Sequence, residues 1–584
     1  MRRNEFFDVK MSGRQMNLRD HLTKICGDAF VSIGLPREFG EVVMCENTMH
    51  GDFQCNGAMR GSKILRKSPI DIAAEVAKLL PVGVIQSVKV AKPGFVNLRI
   101  NAARLPEFID PPVSGEAGTA VLDYGGPNIA KAMHVGHLRS SIIGESLKRI
   151  LKARGWMVIS DVHLGDWGLP MGLLAAYLKD AEPDLPFFTE SEGPFPDCQV
   201  TIDDLERMYP EASARSKSDA EFMNTARELT AAMQAGHKGL MALWKHFRNV
   251  SVRRLEGDFA SIGVSFDEWK GESTVRERIG WICRRLAESG TAVEDAGALV
   301  IPLGDDMPPF ILQKSDGAAL YSTTDLATVF DRHAEHGPCR IVYVVDSRQR
   351  LHFKQLFSAS RKVGIPETTV LEHAGFGTMN GKDGKPFKTR EGGVMKLADL
   401  VAIATQKAHE RLSDERLAGL SSEQVQRIAG CVGIGAVKFA DLSSHRETSY
   451  VFDIDRFISF EGCTGPYIQY MAVRMGSIIE RAKEQGLTAS AVESPSNEAE
   501  RDLMLCLASY SDAVAEAARL LAPSEVAKWL FTTAKAVSKF YASSPVVSEG
   551  DIAIARHRLA LAEASRRKLV SGLDLLGIEV PEKM

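Results

Sequence analysis

Apolar residues along the chain recur with two different periods. In "DIAAEVAKLL" (71–80) they fall at helical spacing, whereas "IQSVKVAKPGFVNLRI" (85–100) reads as a strand, a turn at Pro93-Gly94 and a second strand. These segments predict a small α+β domain over 1–112. "PPVSGEAGT" (111–119) is polar and turn-rich and predicts a linker. "AVLDY" (120–124) then reads as a buried strand that "GGPN" breaks. "HVGHLRSSIIGESLKRILKARG" (134–155) is helical and closes on Gly155, and "WMVISDVHL" (156–164) is a second strand. Strand, loop, helix and strand in this order predict a doubly wound α/β sheet. Its loop lies at the carboxyl end of the first strand, in the crevice where such sheets bind ligands.

Residues 180–300 are charged and helical, as in "GHKGLMALWKHFRNVSVRRLEGDFASIGV" (236–264), and read as an insertion into the sheet. The β-α-β pattern is expected to return over 310–350, where "VYVV" looks like a buried parallel strand. From about 397 the pattern is mostly helical. The segments 465–486 and 554–577 are amphipathic. A central domain over 113–462 and an all-helical domain over 463–584 are therefore expected.

At 584 residues three or four domains are affordable. With 45% hydrophobic and 25% charged residues, the composition is that of an ordinary globular protein. The net charge of −4 does not exclude nucleic acid, because local basic patches suffice. The nine cysteines are scattered without a C-x-x-C pair, so neither a disulfide framework nor a zinc site is expected. Free thiols fit a reducing cytosol, and cytoplasmic localisation is expected. No run of 18 apolar residues predicts a membrane span. The charged segment before Met16 lacks the apolar region of a secretory signal and reads as a start-site extension.

Candidate chemistry concentrates in "DYGGPNIAKAMHVGHLRS" (123–140). His134 and His137 are one turn apart at a helix start. A helix N-terminus offers N–H groups and partial positive charge to phosphate, imidazoles add donors, and Gly136 lets a flat base approach the backbone. Two histidines that merely cap the helix are the plainer alternative. "GKDGKPFKTREGG" (381–393) is a glycine-flanked basic loop carrying Lys382, Lys385, Lys388 and Arg390. Such a loop can stabilise charge on leaving pyrophosphate, or simply be a solvated turn.

The HVGH pair followed by a basic loop resembles the class I aminoacyl-tRNA synthetases. The runs GGPNIAKAMHVGHLRS, GDWG (165–168), YSTTDLA (321–327), DSRQRLHF (346–353), GKDGKPFKTR (381–390) and KFADLSSHRETSYVFDIDRFISFEGCTGPYIQY (438–470) resemble those of one member, the bacterial arginyl-tRNA synthetase family. The likeness runs in order from about Met16 to "GLDLLGIEVPEKM" at the end. It implies a Rossmann-like catalytic domain with a parallel sheet of the HUP type. It also implies an N-terminal α+β domain that touches tRNA, for which "HGDFQCN" (50–56) and "KPGF" (92–95) carry the likeness, and a C-terminal helix bundle that binds the anticodon.

For the site, the resemblance implies that His134, Gly136, His137, Phe376, Met379, Lys385 and Lys388 contact ATP. Threonine stands where the loop's second lysine belongs, at Thr389, and Lys131 is implied to compensate. His134, His137, Lys131, Lys385 and Lys388 would then stabilise phosphate charge. For L-arginine it implies Asp123, Tyr321 and Asp325 at the guanidinium, with Asn128 and Gln349 on the backbone groups. His163 and Asp166 would line the same pocket. Chemistry agrees: a guanidinium is a permanently charged fork that needs carboxylates, and Tyr321 and Asp325 can share one helical face. Tyr470, Tyr541 and Met584 are candidate contacts for tRNA(Arg). Arg556, Arg558, Arg566, Arg567 and Lys568 suggest a basic face for phosphates. ATP is expected as a substrate that carries Mg²⁺, with no protein-held metal, and a monomer is expected. Other adenylate-forming class I enzymes, a non-enzymatic RNA-binding relative and a cysteinyl synthetase are the competing readings. The C-terminal helices, the intact signatures and the lack of zinc spacing disfavour them in turn.

Overall fold

The computed structural model describes residues 16–45, 49–110, 118–189, 192–304, 307–315, 317, 319–381, 383–384, 395–412 and 419–584. The segment before Met16 and most of the expected linker lie outside them. The N-terminal domain opens with the helix Leu18–Ser32, whose cap Asn17 accepts from the Asp20 N–H at 2.7 Å. Four antiparallel strands follow: β1 (Val42–Met44), β2 (Phe53–Cys55), β3 (Ile85–Ala91) and β4 (Phe95–Ile100), in the order β1-β2-β4-β3. The hairpin read around Pro93-Gly94 is the β3-β4 pair.

The central sheet contains β5 (Thr119–Asp123), β6 (Met157–Asp161), β10 (Arg340–Tyr343) and β11 (Val370–His373), all parallel, in the order β11-β10-β5-β6. The chain winds outward in both directions from the β5/β10 boundary. That boundary is therefore the switch point, and it ends at Asp123 and Tyr343. Val121, Leu122, Ile341 and Val342 are fully buried, as strands covered on both faces require. Each contributes about 1.5–3 kcal/mol through the hydrophobic effect.

The expectation of a returning β-α-β unit is corrected at its first strand. Phe310–Gln313 (β9) belongs to a separate antiparallel sheet with β7 (Val293–Asp295) and β8 (Ala298–Ile301). The cause is local. Ala296 and Gly297 both take positive φ, 49° and 80°, and so form a two-residue turn that closes β7 on β8 as a hairpin. β7 is exposed throughout and β9 alternates, so neither suits a sheet covered on both faces.

The inserted segment supplies the helices Ile202–Arg215, Ala220–Gln234 and Lys238–Ser261. The C-terminal domain is helical, from Gly465–Glu484 to Ile552–Leu575. No helix among the described residues is long and apolar enough to cross a membrane.

Candidate active site

After Asp123 the chain turns through Gly125 and Gly126, both at positive φ. The Gly125 N–H donates to Ser140 Oγ at 2.8 Å, and Ser140 Oγ donates to the Val344 carbonyl at 2.7 Å. The loop, the next helix and the end of β10 are thereby tied together. His134 is the N-cap of the helix Val135–Ala153. Its Nδ1 accepts from the Gly136 N–H at 3.1 Å, and His137 Nδ1 accepts from the His134 N–H at 3.2 Å. The rings stack with centroids 3.9 Å apart.

An imidazole whose Nδ1 accepts carries its proton on Nε2 when neutral, which leaves two Nε2–H donors. Both rings are held neutral. Burial lowers the pKa of His134, with Lys131 adding to the effect. Burial depresses His137 to about 3, helped by His134 and Lys131. Capping the helix and donating to a ligand are thus compatible roles.

One expectation changes here. The first-turn N–H groups are already engaged: Val135 donates to the Met395 carbonyl at 3.0 Å, Gly136 to His134 Nδ1, and His137 to the His134 carbonyl at 2.8 Å. Phosphate would therefore meet imidazole rather than backbone donors. Gly136 is also required by its own neighbour in the loop. A Cβ there would lie 2.8 Å from the His134 ring.

Lys131 is exposed, with its ammonium 4.4 Å from the centroid of the Tyr209 ring. Both line a cavity of about 740 Å³ between this loop and the helix Ile202–Arg215, together with His134 and Lys396. Lys396 pairs with Glu206 of that helix at 3.0 Å. Lys382, Lys385, Lys388 and Arg390 lie outside the described residues.

At the strand ends, Arg332 is buried and bridges Asp123 at 2.7 Å and Asp161 at 2.6 Å. At Asp123 burial outweighs Arg332 and pushes the carboxyl up, whereas at Asp161 Arg332 and His163 outweigh burial and hold it down. His163 sits at φ 40°, its Nδ1 3.9 Å from Asp161. Both of its ring nitrogens, and Arg332 Nε and Nη1, are buried with no hydrogen-bond partner among the described residues. Buried polar groups of this kind mark a place where a ligand or water completes the set.

Tyr321 begins the helix Tyr321–His336 and is 73% exposed. Asp325, one turn on, lies 2.7 Å from His352 Nε2. Tyr321 and Thr324 line a cavity of about 780 Å³ that Glu272 and Trp167 also face. Glu272, which sequence reasoning missed, is raised to about 7 by burial, with Asp166 and Asp325 adding to it. Asn128 and Gln349 are exposed at the crevice ends of their segments, and Asn128 bridges to Gly165.

Asp166 does not line the pocket as expected. It is fully buried, paired with Arg248 at 2.9 Å, and accepts from the Ser273 N–H at 3.0 Å and hydroxyl at 2.8 Å. It fastens the inserted helix to the sheet.

Phe376 and Met379 are buried, and Arg139 lies over the Phe376 ring. In the helical domain Arg474 lies between the rings of Tyr541, at 3.5 Å, and Tyr470, at 5.7 Å. The Met584 side chain, expected at RNA, packs instead with Ala408, Leu412, Ile428 and Val432. The expected basic face is largely spent on internal contacts. Arg558 is buried against Glu500, Arg567 and Lys568 hold Asp110, and Arg556 binds the Thr488 carbonyl.

Among the described residues, one acidic and histidine group could converge on an ion: Glu268, Glu335 and His336. The Lys270 ammonium already pairs with both glutamates there, so a lysine supplies the cation.

Comparison with known sequences follows the same division of the chain. Residues 109–454 match the family described as tRNA synthetases class I (R), catalytic domain. Residues 16–100 match the arginyl tRNA synthetase N terminal domain, and 468–584 the DALR anticodon binding domain. A protein named arginine–tRNA ligase from Maricaulis maris is 45% identical over 587 residues, covering 97% of this chain and 100% of the relative. Another so named from Hyphomonas neptunium is 44% identical, with coverage of 97% and 100%. The solved arginyl-tRNA synthetase of Thermus thermophilus superposes with a TM-score of 0.81 at 24% identity, over 97% of this chain and 100% of that one. That of Plasmodium falciparum gives 0.81 at 21%, over 98% and 100%.

Proposed function

This chain belongs to the arginyl-tRNA synthetase family of class I synthetases, and from that premise we propose that it is an arginine–tRNA ligase. In the first step the carboxylate of L-arginine attacks the α-phosphate of ATP in line. A carboxyl O–P bond forms, the bond to the β-phosphate oxygen breaks, and pyrophosphate leaves arginyl-adenylate behind. In the second step a 2′- or 3′-hydroxyl of the terminal adenosine of tRNA(Arg) attacks the activated carbonyl and releases AMP.

The observation that carries this reading is the pairing of His134 and His137. Two neutral imidazoles, whose Nε2–H donors have no partner among the described residues, stand beside the switch point at which Asp123 ends β5. Those donors, Lys131, Lys385 and Lys388 take the phosphate charge, and positioning and electrostatics do most of the catalysis. Asp123, Tyr321, Asp325 and His163 receive the guanidinium, Asn128 and Gln349 the amino-acid backbone, and Phe376 and Met379 the ATP base. Tyr470 and Tyr541 face the anticodon. Mg²⁺ arrives with ATP and neutralises phosphate charge. A polar site of this kind rejects analogues lacking the hydrogen-bonding group by about 10⁴–10⁵, so no editing domain is required. The protein acts as a monomer in the cytosol, where its nine free cysteines stay reduced.

The test is ATP–pyrophosphate exchange with each amino acid, with and without tRNA. Exchange with arginine, dependent on tRNA, is expected. Exchange driven by another amino acid overturns the assignment. Exchange with arginine alone keeps the ligase and removes the requirement for tRNA in activation.

A further inference from the structure

The contact between Lys131 and Tyr209 joins the ATP loop to the inserted helix Ile202–Arg215. That helix is a fixed platform. Thr201 and Asp204 form a capping box at its start, and Leu205, Met208 and Ala212 are buried beneath it. Two carboxylates line the cavity with Lys131: Glu206 is engaged by Lys396 at 3.0 Å, and Asp203 forms no ion pair with Lys131 among the described residues. The ammonium meets an aromatic face instead. A carboxylate in its place would cancel the charge. A ring orients the cation through its quadrupole and leaves the charge whole. The field of Lys131 does reach the site, since it contributes to the lowered pKa of both His134 and His137.

We propose that Tyr209 is a positioning residue for adenylate formation. Its ring holds the Lys131 ammonium at the mouth of the ATP site, uncancelled, so that the phosphates meet a cation already in place. The ring takes only one side of the ammonium, so its remaining N–H groups can donate to a phosphate oxygen while the ring keeps its hold. Lys396 is the contrast: its charge is matched by Glu206 and is not offered in the same way.

The inference rests on the reading that Lys131 meets ATP. The test measures the KM for ATP and kcat of pyrophosphate exchange, with arginine and tRNA saturating, in Tyr209→Leu, Tyr209→Phe, Lys131→Ala and the double variant Lys131→Ala/Tyr209→Leu. Thermal melting of each variant controls for folding. Tyr209→Leu is expected to raise the KM for ATP roughly fivefold, with kcat and the KM for arginine within about twofold. Tyr209→Phe, which keeps the ring, stays within about twofold of the parent. In the Lys131→Ala background Tyr209→Leu adds nothing, because the cation it positions is gone. Equal damage from Phe and Leu, or an undiminished Leu effect without Lys131, overturns the inference. So does a normal KM for ATP in Tyr209→Leu alongside an impaired Lys131→Ala. Normal ATP kinetics in Lys131→Ala overturn instead the role given to Lys131.

Discussion

Arg332 holds two carboxylates, Asp123 and Asp161, on one guanidinium. With Asp325 and Glu272 close by, acids outnumber cations at this end of the crevice, which suits a cationic substrate. Asp123 and Asp325 were readable in the sequence because each stands in a motif. Arg332 was not, since its partner Asp123 lies 209 residues away and nothing local marks it. Glu272 was missed for a related reason: an isolated glutamate before a helix reads as a surface acid until folding buries it beside Asp166 and Asp325. With its pKa near 7, Glu272 is mostly protonated at pH 6 and mostly ionised at pH 8. A guanidinium favours the ionised form, so the KM for arginine should fall about fivefold as pH rises across that span. Steady-state kinetics on the parent and Glu272→Gln check this. A slope that survives the substitution assigns the titration to another group.

The helix Val135–Ala153 shows what an element's pattern reveals and what it hides. Its existence and its start at His134 were legible from helical spacing and the H-x-G-H turn. Its surroundings were not. Arg139, Ser140, Ser141, Glu145, Ser146 and Lys148 are all buried, although an isolated amphipathic helix would turn such residues to water. Partners come both from the rest of the fold and from the helix itself: Glu145 accepts from Tyr124 at 3.1 Å and pairs with Lys148 one turn on at 2.7 Å, and Ser146 donates to the Leu575 carbonyl at 2.8 Å. At the helix start, Gly136→Ala puts a methyl 2.8 Å from the His134 ring and should expel it from its capping position. Losing one cap costs about 1 kcal/mol, so the fold survives. Exchange activity should drop at least about tenfold, because the Nε2 donor moves away. Activity assays paired with circular dichroism decide. An active Gly136→Ala protein means that the ring tolerates displacement.

Across the whole molecule, the N-terminal and C-terminal domains meet through a buried ion pair. Arg501 lies 2.6 Å from Asp52, which also accepts from the Ile100 N–H at 2.7 Å. Arg501→Ala leaves that carboxylate to Arg99, which lies 3.2 Å from it, so the loss should fall below the about 3–5 kcal/mol of a wholly uncompensated buried charge. A clear drop in melting temperature is expected, with exchange retained at low temperature. An unchanged melting curve would mean that water replaces the guanidinium. Motif order and hydrophobic period were enough to place β5, β6 and β10, the loop after β5, the helical end and the family, because those signals are local and repeat within a few residues. Only the tertiary structure decided which charges remain for substrate. It set Arg332 against Asp123, Lys131 on Tyr209, Asp166 on Arg248, and Met584 and most of the expected basic face against the protein itself. Pairing energy depends on distance in space and on burial, and neither is written in the spacing of residues along the chain.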